Sequence, residues 1–326
     1  MAHNKIGQVR ALPLWLVIPL AMLCGSGVAI QSQINGQLGL RLHDGATAAA
    51  ISFGSGLVVL SLVLLCVPSG RRGLGKIRSA LRHREIPRWY VFGGAAGGFF
   101  VFSQGVTVAV LGVALFTVAV VAGQTLSGLL FDRIGLGPGG PRPLTPARVA
   151  GALVAVVAVV WAVSAELAGP IPGWMLLLPL ISGFGQGWQQ AVNGQVRVRS
   201  ESVLAATFVN FLAGATVLVV MMLVNWALHG LPGHLPTAPW LYIGGLIGCL
   251  FIAGSTFLVR YTGVLLLGLA LLAGQLLAAL LINVANAGAA NSLSVPTVGG
   301  AVLSFVAVLI VGVRWPSRSR STTRND

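Results

Sequence analysis

Two glutamines, Gln124 and Gln275, each stand near the middle of an apolar run of helix length, and each follows a glycine, Gly123 or Gly274. An amide side chain both donates and accepts hydrogen bonds. In hydrocarbon it is costly unless it meets a polar solute or a neighbouring helix. Gln31 with Asn35, and Gln189 with Asn193, form two further amide pairs. Each pair is spaced i, i+4 and so shares one helical face. These six residues, Gln124, Gln275, Gln31, Gln189, Asn35 and Asn193, are the candidate solute-binding set, and the chemistry they offer is uncharged hydrogen bonding. No nucleophile–base arrangement, phosphate-cradling glycine loop or metal-ligand spacing accompanies them. Neither enzymatic catalysis nor a cofactor or metal is therefore expected.

Depth separates the six. Gln124 and Gln275 lie about 12 residues into their runs, or roughly 18 Å along a helix, near the middle of a ~30 Å hydrocarbon core. Asn35 and Asn193 lie about 21 residues in, or roughly 30 Å, which suits a gate or cavity rim better than a central site. Helix packing, or a helix-end role with Gly36 and Gly194 as caps, is the alternative, as interhelical bonding is for Gln124 and Gln275.

The elements that carry these residues follow from composition. The chain has 326 residues, 56% hydrophobic and 8% charged, against about 25% charged in a soluble domain. Apolar runs of about 20 residues recur, the length that crosses a bilayer. The pattern predicts an all-α polytopic membrane protein with ten transmembrane helices, at roughly 14–38, 45–67, 88–109, 112–133, 147–165, 174–197, 203–227, 239–260, 263–284 and 296–314. Residues 68–87 and the Gly- and Pro-rich 134–146 read as loops, and the polar tail after 314 as disordered. The net charge of +14 does not indicate nucleic acid, because the basic residues sit between apolar runs. The three cysteines, Cys24, Cys66 and Cys249, lie within apolar runs and read as packing residues. Lys5 and Arg10 before an apolar run have the look of a signal peptide, but the run continues past that length and is expected to be the first span.

The chain also repeats itself. A shift of 158 residues lays Gly25, Gln31, Asn35, Phe53 and Gly56 on Gly183, Gln189, Asn193, Phe211 and Gly214. A shift of 151 lays Trp89, Gly93, Gly94, Gly97, Gly123 and Gln124 on Trp240, Gly244, Gly245, Gly248, Gly274 and Gln275. Two units follow, residues 1–168 and 169–326, each of five helices. Five is odd, so the second unit should enter the membrane inverted. With the N-terminus in the cytoplasm, only Arg41 of the 20 Lys and Arg falls outside, as the positive-inside bias requires. Both termini are then cytoplasmic. Inverted five-helix repeats are an architecture of secondary transporters.

The segments QSQINGQL (31–38), AAISFGSG (49–56) and VAGQTLSGLLFDRIG (121–135) resemble the drug/metabolite transporter superfamily, within it the YdcZ-like branch of inner-membrane exporters. The chain looks like a fused, double-length form of that branch. The resemblance implies transport, in the exporting direction, across the inner (plasma) membrane. The last motif is degraded in the second half, where Asn283 stands in the place of Asp132 and the following Ile-Gly is absent.

The expected substrate is a small neutral or amphipathic metabolite or drug, because no acid lies in the first run and none is deep in any other. Asp132, beside Arg133, is expected as a surface ion pair or a helix-end group. Phe53, Phe211, Trp188, Tyr261 and Gln104 are further candidates for lining a cavity, and Trp89 and Trp240 read as interface anchors. The expected partners are a small-molecule solute and the lipid bilayer, not nucleic acid, and a homodimer is one assembly left open. Two other functions fit the same sequence: a flippase for lipids or lipid-linked molecules, marked by a cavity open sideways to lipid, and a non-transporting scaffold, marked by Gln124 bonded to Gln275.

Overall fold

The computed structural model describes residues 12–162, 164, 173–232, 234–287 and 295–312. They form nine α-helices: α1 (Leu14–Leu42), α2 (Gly45–Cys66), α3 (Pro68–Arg82), α4 (Gly93–Ile134), α5 (Pro146–Ala162), α6 (Leu177–Ser200), α7 (Val203–His229), α8 (Gly244–Ala287) and α9 (Val295–Gly312). Single 3-10 turns precede α4, α6 and α8. The expected tail, Lys5, Arg10 and the unit boundary at 168/169 lie outside the described residues.

The protein is an all-α membrane protein, and its exterior says so. Leu23, Leu40, Leu62, Leu65, Leu153, Leu223 and Leu250 are all more than half exposed, while Gln189, Gln190, Asn193 and Asn210 are buried. Water would favour the reverse arrangement; hydrocarbon favours this one. Four segments, Leu14–Leu42, Gly45–Cys66, Val203–His229 and Pro239–Ile282, are long and apolar enough to cross a membrane.

Two of the expected inter-helix turns are absorbed into longer helical elements. α8 runs 44 residues, broken at Gly263, where φ 76° and ψ 179° lie in a region that glycine enters without steric cost. α4 runs 42 residues as one element. It cannot be a straight rod. Gly97 lies against Gln189 and Ser127 lies against Gly187, so both contacts fall within one turn of α6. A straight helix would separate Gly97 from Ser127 by about 45 Å. The chain of α4 therefore doubles back between these points, as α8 does about Gly263.

The packing contacts repeat under the same shifts as the sequence. A methyl group at Gly25 would overlap the Leu271 carbonyl, and one at Gly274 the Met22 carbonyl. The counterparts behave alike: Gly183 meets Val120, and Gly123 meets Leu180. Backbones this close require glycine on the approaching face. α1 thus crosses the second half of α8 as α6 crosses the second half of α4. Phe53 on α2 and Phe211 on α7 pack ring against ring at a tilt, ring centroids 5.1 Å apart, and Gly56 and Gly214 receive the partner rings. α5 and α9 pack on one another, with Gly151 against Ala307 and Val311, and Gly299 against Trp161.

One expected loop is a helix. Residues 68–82 form α3, with Pro68 in its first turn. Gly70, Gly73, Ile77 and Ala80 are its buried face, spaced i, i+3, i+7 and i+10. Two of those four are glycines, so the apolar stripe is faint in the sequence. They serve close approach to Leu204, Ser202 and Ala205 of the α7 start. Gly36 and Gly194 are not helix caps. α1 continues to Leu42, with His43 at φ 51°, and α6 continues to Ser200, with Glu201 at φ 52°. Both helices end in a left-handed residue, and Asn35 stands about 10 Å short of its helix end.

Candidate functional site

The aromatic pair Phe53 and Phe211 is flanked by polar side chains from four helices. On one side Asn210 precedes Phe211 on α7. Its Oδ1 accepts hydrogen bonds from Gln189 Nε2 at 2.9 Å and Asn193 Nδ2 at 2.8 Å. Gly97 and Gly93 of α4 give these amides room, and the Phe53 ring lies 3.6 Å from where a Gly97 methyl would stand. On the other side Ser52 precedes Phe53 on α2. Asn35 Oδ1 and Ser52 Oγ both face Gly244, and Gln31 faces Gly248. Ser52 holds the position matched to Asn210, but a hydroxyl is too short to bridge two amides. Asn35 Oδ1 and Ser52 Oγ are buried without a hydrogen-bond partner, and so is Asn210 Nδ2. Buried polar atoms are nearly always paired, each bond being worth about 1 kcal/mol. Three orphans beside one aromatic pair mark hydrogen-bonding capacity left open at that place.

The structure thus joins Gln189 and Asn193 through Asn210, next to the aromatic pair, and sets Gln31 and Asn35 against Gly248 and Gly244 at the start of α8. Gln124 and Gln275 are placed differently, each one residue past a glycine at a helix crossing. Gln124 lies against Gly268 of α8, seven residues, or about 10 Å along the helix, from Gln275. Among the described residues no hydrogen bond joins Gln124 to Gln275. Of the other lining candidates, Gln104 is exposed, and Trp188 stacks on Trp89 with centroids 6.0 Å apart. Asn210, which receives both second-half amides, was not among the sequence candidates. The signal was available: an asparagine inside the apolar run 203–227.

Asp132 is not on the surface. It is 3% exposed and ion-paired with Arg148, itself 9% exposed. Its carboxylate accepts from the backbone N–H of Val264 at 2.7 Å and of Leu265 at 3.1 Å. These are the first two amides after the Gly263 break, which a helix start leaves unpaired. The acid of α4 therefore caps the second half of α8. Thr145 sets Arg148 in the first turn of α5, its Oγ1 accepting from Arg148 N at 3.3 Å. Arg142, in the segment after α4, donates from Nη2 to the Tyr261 carbonyl at 2.9 Å. Burial pushes the Arg142 guanidinium below its usual pKa; the Asp132 charge opposes that shift and Arg148 adds to it. Of the two roles expected, the helix-end one is found, in the capping of α8 after Gly263, whereas the surface ion pair is replaced by a buried one whose partner, Arg148, is sixteen residues away rather than the adjacent Arg133.

Helices with lipid-facing apolar exteriors, an amide-lined interior and a twice-repeated packing scheme define a membrane protein of the transporter type. Residues 16–161 and again 174–310 match the family described as "Putative inner membrane exporter, YdcZ", and the chain belongs to that drug/metabolite-transporter-type family. A solved crystal structure 20% identical in sequence aligns over 90% of this chain and 94% of its own, with a TM-score of 0.64. At that identity the likeness speaks to the fold. No curated protein matches.

Proposed function

We propose that this protein is a secondary transporter that exports a small neutral or amphipathic solute by alternating access. It would cross the membrane ten times, as two inverted five-helix units with both termini in the cytoplasm. The observation that carries the solute class is the set of unpartnered atoms, Asn35 Oδ1, Ser52 Oγ and Asn210 Nδ2, beside the Phe53–Phe211 pair. Amides and a hydroxyl without a nearby charge suit a solute that combines an apolar face with hydrogen-bonding groups. The exporting direction follows the family.

Alternation is supported by an inequality between matched positions. Gly194 on α6 is buried against Val259 and Pro138, while its counterpart Gly36 on α1 is exposed. Gln190 is buried where its counterpart Ser32 is exposed. Gln195 Nε2 donates to the Leu136 carbonyl at 2.9 Å, where Gln37 is exposed. The two units thus have the same contacts at their centres and different ones at their ends. Exchanging those end contacts would close one face and open the other, which is the rocking expected of inverted repeats.

The test is a thermal-shift screen of neutral metabolites and aromatic compounds on purified protein. Hits are then titrated against Asn210→Ala, Phe53→Ala, Gln124→Ala and Gln275→Ala. Loss of binding in the first pair supports the site at the aromatic pair; loss only in the second pair moves it to the helix crossings. Parental binding in all four sets the solute elsewhere.

A further inference from the structure

We propose that the recess between the end of α3 and the segment 84–88 is a site for an anionic phospholipid headgroup. The recess has a volume of about 420 Å³ and is lined by Leu81, Arg84, Ile86, Pro87 and Arg88. Two arginines thus line one hollow together with three apolar residues. Arg84 is carried there by its backbone: φ is 57°, and the Glu85 N–H donates to the Ala80 carbonyl at 2.8 Å, which ends α3 in a tight turn. The apolar face of α3 is already occupied by α7, so what the helix offers outward is charge. Arg71, Arg78 and Arg82 fall on one stripe about 40° wide at 100° per residue. All three are exposed, and α3 contains no acid. The nearby acids are engaged elsewhere: Glu201 pairs with Lys76, and Glu85 with Arg199. Among the described residues no carboxylate pairs with Arg71, Arg78, Arg82, Arg84 or Arg88.

Position in the membrane favours a lipid over a soluble anion. Leu62 and Leu65 on the last turns of α2 are 59% and 64% exposed, and α3 begins two residues after that helix. On the other side of the recess Trp89 is 44% and Phe92 57% exposed. An exposed tryptophan of this kind sits at headgroup level. The recess therefore opens where lipid phosphates lie, with hydrocarbon-facing side chains on both flanks. A bias of basic residues toward one face accounts for their number but not for two arginines converging on an apolar hollow. Basic pockets at this level bind anionic headgroups. The inference needs the chain to be in a membrane. It does not need the transport reading or a given orientation.

The experiment is native mass spectrometry and thermal unfolding of the purified protein with phosphatidylglycerol, phosphatidylcholine or inorganic phosphate added. Phosphatidylglycerol should remain bound and raise the melting temperature, with an effect that falls as salt rises. Affinity should drop about fivefold per arginine, so roughly 25-fold, in Arg84→Gln with Arg88→Gln. Arg71→Gln with Arg78→Gln removes the same charge outside the recess and should cost much less. If helicity shows that the double variant is misfolded, Arg88→Gln alone should still lose about fivefold. Equal retention of phosphatidylcholine overturns the proposal. So does equal binding of inorganic phosphate, equal weakening by both variant pairs, or parental binding by the recess variants.

Discussion

Replacing Asp132 with asparagine should be among the most damaging single conservative changes available in this chain. Asp132 holds two backbone amides and the Arg148 guanidinium. Asparagine keeps one acceptor oxygen but removes the charge. Arg148 would then be buried, with its Nε already lacking a partner, and with Arg142 nearby adding repulsion. Removing one member of a buried pair costs about 3–5 kcal/mol. Arg148→Met should cost less, about 1–2 kcal/mol, because the carboxylate keeps Arg142 and the two amides. The double variant removes both charges and should be more stable than Asp132→Asn alone, giving a coupling of about 2–3 kcal/mol. Equilibrium unfolding in mixed micelles measures these differences, and hydrogen exchange at Val264 and Leu265 gives a local reading. An Asp132→Asn protein within about 1 kcal/mol of the parent would sink the capping argument, as would single effects that simply add.

Other expectations follow from the same geometry. Alanine at Gly25, Gly183, Gly123 or Gly274 should destabilise by about 1–3 kcal/mol each, because backbone carbonyls occupy the space of the methyl group; thermal unfolding in detergent reads this. Alanine at Gly194 should also destabilise, against Val259 and Pro138, whereas Gly36→Ala should be neutral or stabilising by up to ~1 kcal/mol, since no described atom lies within 4 Å. Asn210→Ala strands the donors of Gln189 and Asn193 and should cost about 2–3 kcal/mol. Asp44 caps α2 through Thr47 N at 3.0 Å. Burial raises its pKa, but hydrogen bonds from Thr47, Asn225 and Ala46 outweigh this and hold it below the usual carboxylate value. With its folded pKa depressed, its stabilisation of about 1 kcal/mol is present at neutral pH. It fades only as pH falls below about 4. Asp44→Ala should lose it at pH 7 and show a flatter acid limb in a melting series.

Composition and the recurrence of 20-residue apolar runs determined the class of this protein, because a chain with so little charge cannot bury its surface in water. The matched glutamines, asparagines and glycines also determined the repeat, since polar identities inside apolar runs rarely coincide by chance. The helix in 68–82 was hidden because its docking face is half glycine, a residue read as a breaker until a neighbouring helix is seen to need the space. What only the tertiary structure decided was which polar groups meet. Gln124 and Gln275 share a motif and a depth in their runs, yet no described bond joins them; Gln189 and Asn193 share a partner, Asn210, on another helix. Asp132 could not be read from its neighbour Arg133, because its partners, Arg148 and the amides of Val264 and Leu265, are set by where α5 and the second half of α8 begin against α4. Spacing along one helix specifies a face, and only packing between helices specifies what that face touches.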